Sequence, residues 1–382
     1  MNRQHPAPMH PTPIALLALA LLASGCGPGD IASEQPAGPV PNGVTISAVT
    51  GTPTSATTLV ISGYNFGPKA TAKPKYWADF ANDTEPSNLG VNTAWSYRSI
   101  SAERVSATVG SRTGAFLRDD VSTNEGAKGV AIFGFDLTKR AYLSFKRYYA
   151  YDITTNQGSV GFNNKALRIW PDVLTGALPY GNNVFWGWQG SEGLNSFRST
   201  NENTQTSFAQ GTVRASGTRG IWKFGQWQNE QVIYQASGID VADGIFSWYR
   251  DGDNIMNNWV NDSTGGDPIP GERRWVFRTA ERPNYHSKIF FDQVSNGTRT
   301  DAGALYVYYS NIYIDDTWSR VMLSSAATWS GALDVEVQIP SAWTDRSISV
   351  TVNLGDLNPS GPLYLYVVDQ DGNVNTNGYR LR

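Results

Sequence analysis

The sequence predicts an all-β protein, a jelly-roll or related β-sandwich accompanied by a second, smaller unit. From Val44 onward, aromatic and β-branched runs recur with period-two alternation, and turns rich in Gly, Asn and Ser separate them. No stretch of helical length carries a clean apolar i, i+3, i+4, i+7 face. The chain has 382 residues, enough for a large core plus a satellite module, since domains commonly run to about 100–200 residues. Charged residues make up 16%, against about 25% in average soluble domains, a balance that goes with turn-rich extracellular β proteins. The formal net charge of -3 leaves no basic excess to meet a phosphate backbone, so nucleic acid is not an expected partner.

At the amino end, Arg3, the short apolar run from Ile14 to Ala23 and the small residues after it have the form of an export signal. The run is too short for a membrane-spanning helix, which needs about 20 residues. Leu22-Ala23-Ser24-Gly25-Cys26 resembles the lipobox of bacterial lipoproteins, with Ala23 where Leu is commoner. The resemblance implies acylation of Cys26 and a lipid anchor in the cell envelope, with outer membrane or cell surface preferred because Asp30 is not beside the cysteine. Cys26 is the sole cysteine, so no disulfide is expected and the core must hold the fold. Residues 27–43 hold eight Gly or Pro in seventeen positions and show no apolar periodicity, which reads as a flexible tether.

Expected strands then cover 141–153, 165–170, 183–188, 226–235, 244–252, 288–293 and 304–316. Asp251-Gly252 and Asp371-Gly372 suit tight hairpins. The phrase Trp227-Gln-Asn-Glu230, then Tyr234, Asp243-Gly244 and Trp248-Tyr-Arg-Asp251-Gly252 resembles the strand-turn-strand signature of concanavalin-A-like jelly rolls. Asn164 to Trp170 (NKALRIW) is similar to the Lys and Arg strand of polysaccharide-lyase-like members of that superfamily. Together they place a jelly roll at residues 75–319. A second resemblance is to the Ig-like IPT/TIG fold, and it comes in two pieces. Residues 44–68 resemble its opening strands with the closing G-x-x-FG turn, and residues 320–382, through Trp343-Thr-Asp-Arg-Ser-Ile-Ser-Val and Gly361-Pro-Leu-Tyr-Leu-Tyr-Val-Val, resemble its closing strands. Neither piece has enough strands for a two-sheet core, so one discontinuous Ig-like domain is expected, with Leu59 and Ile61 near Ile348 and Val350. Two separate small appendages are the other arrangement.

Jelly rolls bind sugars on the concave face of one sheet, and alternation names the candidates: Arg168 with Trp170, Trp186 with Trp188, Glu230 with Tyr234, and Trp248. Such aromatics are more often core than sugar platform, and Arg168 with Glu230 would equally make a buried ion pair. His286 is the only histidine after the export signal. A His/thiolate zinc site therefore cannot be assembled, and any Ser-His-Asp hydrolase would have to use His286. No Glu is followed two positions later by Asp, which removes the one-strand E-x-D-x-E arrangement of jelly-roll glucanases. A polysaccharide lyase needs a base to take the proton alpha to a uronate carboxylate and cations to neutralise the enolate. His286, Lys288, Arg168 and Tyr234 are the candidates for those roles. Asp369-Gln-Asp371-Gly372-Asn373 has part of a calcium-loop pattern without its distal acid. No cofactor is expected, and calcium is the one these turns leave open.

The leading expectation is a lipid-anchored surface protein that binds a polysaccharide. A uronate-polymer lyase is the alternative, and a structural or adhesive envelope protein is the third.

Overall fold

The computed structural model describes residues 43–81, 102–120, 130–132, 139–151, 163–171, 183–189, 194–200, 213–215, 223–241, 243–254, 259–261, 277–280, 283–296 and 305–382. The export signal, Cys26 and the tether up to residue 42 lie outside the described residues. Among the described residues the strands form four antiparallel sheets, and the one helical element is a 3-10 turn at Trp329–Gly331. The all-β sandwich architecture predicted from alternation is the one observed.

Two sheets make the large sandwich. The eight-stranded sheet runs in the order Asp253–Asn254, Ile245–Arg250, Trp227–Gln235, Arg140–Tyr149, Tyr306–Asp315, Arg112–Asp120, Glu103–Val109, with Tyr76–Ala78 also paired to Tyr306–Asp315. The seven-stranded sheet runs Trp259–Asn261, Val213–Ala215, Leu194–Thr200, Asn183–Gln189, Asn163–Pro171, His286–Asn296, Val130–Ile132. Leu143, Phe145, Val232 and Trp248 from the first sheet share a core with Leu167, Ile169, Ile289 and Phe291 from the second. Each such fully buried side chain contributes about 1.5–3 kcal/mol by its removal from water.

The strand Arg140–Tyr149 shows how period-two chemistry places its neighbours. Its odd residues Ala141, Leu143, Phe145 and Tyr149 enter that core, while Tyr142 faces the other way and joins Tyr313, Met322, Val335, Val337 and Tyr366 in a separate cluster. Both faces are therefore covered, and burial runs almost unbroken along the strand instead of alternating.

The covering layer is a smaller sandwich drawn from both ends of the described chain. One of its sheets pairs Thr45–Thr50, Thr58–Tyr64, Ser347–Thr351 and Ile339–Trp343, with Leu59 opposite Val350 and Ile61 opposite Ile348. The other pairs Glu336–Val337, Arg320–Ser324, Tyr364–Val368 and Tyr379–Arg380. Within Arg320–Ser324, Val321 and Leu323 enter the core between these two sheets, whereas Met322 faces the eight-stranded sheet. Ion pairs stitch the sandwiches together: buried Lys146 meets buried Glu336 and, at 2.8 Å, the exposed Asp356, while buried Lys69 meets buried Asp315 at 2.6 Å.

The Asp251-Gly252 hairpin forms as its dipeptide predicts. Arg250 pairs with Asp253 across a two-residue loop whose members have φ of 48° and 82°, the conformation of a type I′ turn. A Cβ on Gly252 would stand 2.5 Å from the Leu333 Cα, so only glycine allows this turn to approach the small sandwich so closely.

Candidate functional site

The interior of the large sandwich is charged. Arg147, which follows Phe145 on the apolar side of its strand, is fully buried. Its Nη2 donates to Glu230 Oε2 at 2.9 Å, and its Nη1 to Asp292 Oδ2 at 3.0 Å and the Ala166 carbonyl at 3.0 Å. Arg250 donates to the other oxygen of Glu230 at 3.2 Å, and Trp248 Nε1–H donates to Glu230 Oε2 at 2.9 Å. Tyr149 donates to Asp292 at 2.9 Å, and Tyr309 donates to the same carboxylate. Asp292 has φ of 49°, and both it and its neighbour Phe291 are fully buried. Burial alone would lower the pKa of Arg147, but Glu230, Tyr149 and Asp292 outweigh it and hold the guanidinium above its ordinary value. Two arginines and two carboxylates compensate one another, the condition under which such charges survive in a dry core.

This settles two candidates differently from the sequence expectation. Among the described residues the ion-pair partners of Glu230 are Arg147 and Arg250: the strand beside Trp227–Gln235 is Arg140–Tyr149, whereas the backbone of Arg168 belongs to the opposing sheet. Trp248 is a core residue bonded to Glu230, so it presents no face to a sugar.

Tyr234 and His286 do come together. The Tyr234 hydroxyl is hydrogen-bonded to His286 Nδ1, and Phe277 stacks on the Tyr234 ring at 5.6 Å. Both partners are buried, and burial pushes the Tyr234 hydroxyl well above its ordinary pKa. His286 does not share a simple alternation with Lys288. The ladder runs His286 opposite Pro171 and Lys288 opposite Trp170, with a register shift between them, and this bulge lets the histidine turn into the core. Glu230, Tyr234 and His286 are all buried, so these three of the five expected residues do not line a solvent-filled groove. Register brings the backbone of Arg168 opposite Phe290, Trp186 opposite Leu167 and Trp188 opposite Asn164. The side chains of Arg168, Trp170, Trp186, Trp188 and Lys288 lie outside the described residues.

One residue beyond the buried Tyr–His pair, the surface opens into a cleft of about 470 Å3. Gln235 and Tyr285, the chain neighbours of Tyr234 and His286, line it together with Lys139, Arg140, Arg278 and Asp316. The Arg278 guanidinium lies 3.7 Å from the Tyr285 ring centroid and donates to the carbonyls of Pro283 and Ser237. Arg140 lies over Trp318 at 4.5 Å and pairs with Asp371 at 2.8 Å. Asp316, the carboxylate in the lining, is paired with Lys75 at 3.0 Å. Ser237 Oγ accepts from the backbone of Phe277 and Arg278, which fixes the segment carrying the arginine against the sheet. The cleft is thus locally cationic on a chain of net negative charge, an arrangement that raises the local concentration of anionic ligands.

The calcium-like loop is an ordinary turn in its contacts. Asp369 accepts from the backbone of Asp371 and Asn373 and from the Asn373 side chain, and Asp371 is taken by Arg140. Sequence reasoning passed over Lys139, Arg140, Arg147 and Arg278. For Arg147 a signal exists, an arginine in phase with Ala141, Leu143, Phe145 and Tyr149 on an apolar face.

No family model and no curated protein matches the chain. Among solved structures it is similar to an alginate lyase Aly36B variant in complex with alginate tetrasaccharide, at 15% identity over 64% of this chain and 98% of that one with a TM-score of 0.34. It is also similar to a PL-14 alginate lyase from Aplysia kurodai, at 11% identity over 63% and 98% with a TM-score of 0.38. Alginate lyase vAL-1 from Chlorella virus follows at 10% identity over 71% and 88%, TM-score 0.29. At these scores the likenesses carry no weight in the functional reading, which rests on the residues of this chain.

Proposed function

We propose that the chain is an envelope lipoprotein, anchored through Cys26, whose large sandwich binds an acidic, uronate-containing polysaccharide. The observation that carries this is the cleft in which Lys139, Arg140 and Arg278 stand beside Tyr285. A polyuronate presents a carboxylate on successive sugars. Arginine forks suit planar carboxylates, and an aromatic ring suits the C–H face of a sugar. Further sugars would lie along the seven-stranded sheet, where the backbone of Lys288 is in register with that of Trp170, two residues from Arg168. In this reading residues 44–68 and 320–382 form one Ig-like spacer that holds the 75–319 sandwich away from the membrane.

Binding without cleavage is the first reading because the Tyr234–His286 pair is sealed from solvent. Lyase action is the second, favoured by the position of that pair directly behind the cleft wall. There Arg278 would neutralise the uronate carboxylate, His286 would take the alpha proton at C5, and the protonated Tyr234 hydroxyl would give its proton to the departing glycosidic oxygen as the C4–O bond breaks and the C4=C5 bond forms, which requires the Tyr285–His286 backbone to open.

The test uses the full chain in mild detergent with polyuronates and neutral glucans of matched length. Retardation in affinity electrophoresis is expected with polyuronates only and is lost in Arg278→Ala, with no ultraviolet absorbance from unsaturated product. Unsaturated product would select the lyase reading. Failure to bind either polymer class would remove both and leave a structural envelope role.

A further inference from the structure

A second cavity, of about 390 Å3, lies where the edge of the eight-stranded sheet meets the small sandwich. Trp318, Trp329 and Leu333 supply aromatic and apolar walls, and Gln231 and Arg320 supply polar groups, with Asp371 also in the lining. The volume is within the range of about 300–1,000 Å3 usual for small-molecule sites, and the mixture of apolar walls with few polar groups is also usual there.

Arg320 is the informative residue. It is only 4% exposed. Its guanidinium stacks on the Tyr142 ring at 4.2 Å, its Nη1 donates to the Trp318 carbonyl at 2.8 Å, and its Nε has no hydrogen-bond partner. Among the described residues, the other buried cations each have a carboxylate: Lys69 has Asp315, Lys146 has Glu336 and Asp356, Arg147 has Glu230 and Asp292, and Arg250 has Glu230. The groups acting on Arg320 are tyrosines, namely Tyr142, Tyr313 and Tyr249. The nearby acids are matched elsewhere, Asp371 by Arg140 and Glu336 by Lys146. Burial accordingly lowers the pKa of Arg320, the opposite direction to Arg147. A guanidinium kept in low dielectric without an anion is costly, and it lines a cavity of ligand size.

We infer that this cavity binds a small carboxylate-bearing sugar, a free sugar acid or a terminal uronate, whose carboxylate is met by Arg320 and whose ring lies against Trp318 and Trp329. A planar carboxylate matches the guanidinium fork, and the indoles match the apolar faces of a pyranose. The cavity borders the cationic cleft, with Arg140 of the cleft lying over Trp318 and pairing with Asp371, but its own arginine is Arg320, so the inference stands whether or not the polymer reading holds.

The test is titration of the full chain, in mild detergent, with glucuronate, galacturonate, glucose, acetate and inorganic phosphate, followed by calorimetry and tryptophan fluorescence. Glucuronate or galacturonate is expected to bind at least about tenfold more tightly than glucose or acetate, because both halves of the ligand are read. Arg320→Met should weaken that binding at least about tenfold while leaving Tm unchanged or raised, since it removes a buried charge that has no carboxylate. Leu333→Trp, at a position 52% exposed, should block the cavity without touching Arg320. Arg278→Ala should leave sugar-acid binding intact even where it abolishes polymer retardation. Equal binding of glucose and glucuronate, preference for phosphate, undiminished binding in either cavity variant, or a large fall in Tm for Arg320→Met would overturn the inference.

Discussion

Arg147 and Glu230 meet diagonally across two adjacent strands, Nη2 to Oε2 at 2.9 Å, with both side chains wholly removed from solvent. The pair belongs to a neutral cluster with Arg250 and Asp292 that joins the two sheets of the large sandwich. Glu230→Gln keeps the shape and removes the charge that both Arg147 and Arg250 meet. The expected loss is about 3–5 kcal/mol, read as a lower midpoint in urea unfolding at unchanged slope.

Asp315 makes the link between Lys69 and Tyr313 sensitive to pH. Burial raises its pKa to about 6 despite the lowering effect of Lys69, whereas an unfolded aspartate titrates near about 3.9. The folded protein therefore holds this proton where the unfolded chain has released it. Its contribution to stability is full below about pH 4 and is lost as the pH rises through 6. Across that window Asp315→Asn should differ from the parent in the slope of Tm against pH, the parent falling more steeply with rising pH. Parallel curves would show that Asp315 does not titrate there.

Tyr234→Phe removes the hydroxyl from His286 Nδ1 in a closed environment. A loss of about 1–3 kcal/mol is expected from the buried ring nitrogen left without this partner. Polyuronate retardation should survive, because the pair lies behind the cleft and not in it. Loss of binding at full stability would instead place Tyr234 against the ligand.

Polyuronate binding through Lys139, Arg140 and Arg278 should weaken steeply with ionic strength, since exposed charges are screened over about 10 Å at 0.1 M salt. Arg278→Ala should cost about tenfold or more in affinity, the scale of one charged hydrogen bond. Salt-independent binding, measured as retardation across a sodium chloride series, would point to a ligand held by stacking alone.

Cys26→Ala tests the anchor directly. The variant is expected in the aqueous phase of a detergent partition and the parent in the detergent phase. Retention of the variant with membranes would show that something other than acylation holds it.

Some of this architecture is visible in the residues alone. The strand Arg140–Tyr149 lies almost wholly within the run expected at 141–153, because aromatic and aliphatic residues repeat every second position there. The Asp251-Gly252 turn is legible because few residues other than Gly, Asn and Asp accept positive φ at two successive positions. The partner of Glu230 was not legible: it depends on which strand stands beside Trp227–Gln235, and Arg147 and Arg168 are equally reasonable until that is known. The inward turn of His286 was hidden for a related reason, since the bulge before Lys288 is a property of the ladder with Asn163–Pro171 and not of either strand alone.

By itself the sequence determined the all-β class, the approximate positions of the strands named from it, the Asp251-Gly252 turn, and the scarcity of cysteine and histidine that rules out whole kinds of chemistry. These follow from backbone period and residue count, which are local or additive. Tertiary structure alone decided which cations have carboxylates, that Tyr234 is closed in with His286, and that Lys139, Arg140 and Arg278 share one cleft while Arg320 lines another. Charge compensation acts through space across a few ångströms, and residues that distant along the chain become neighbours only when the sheets have packed.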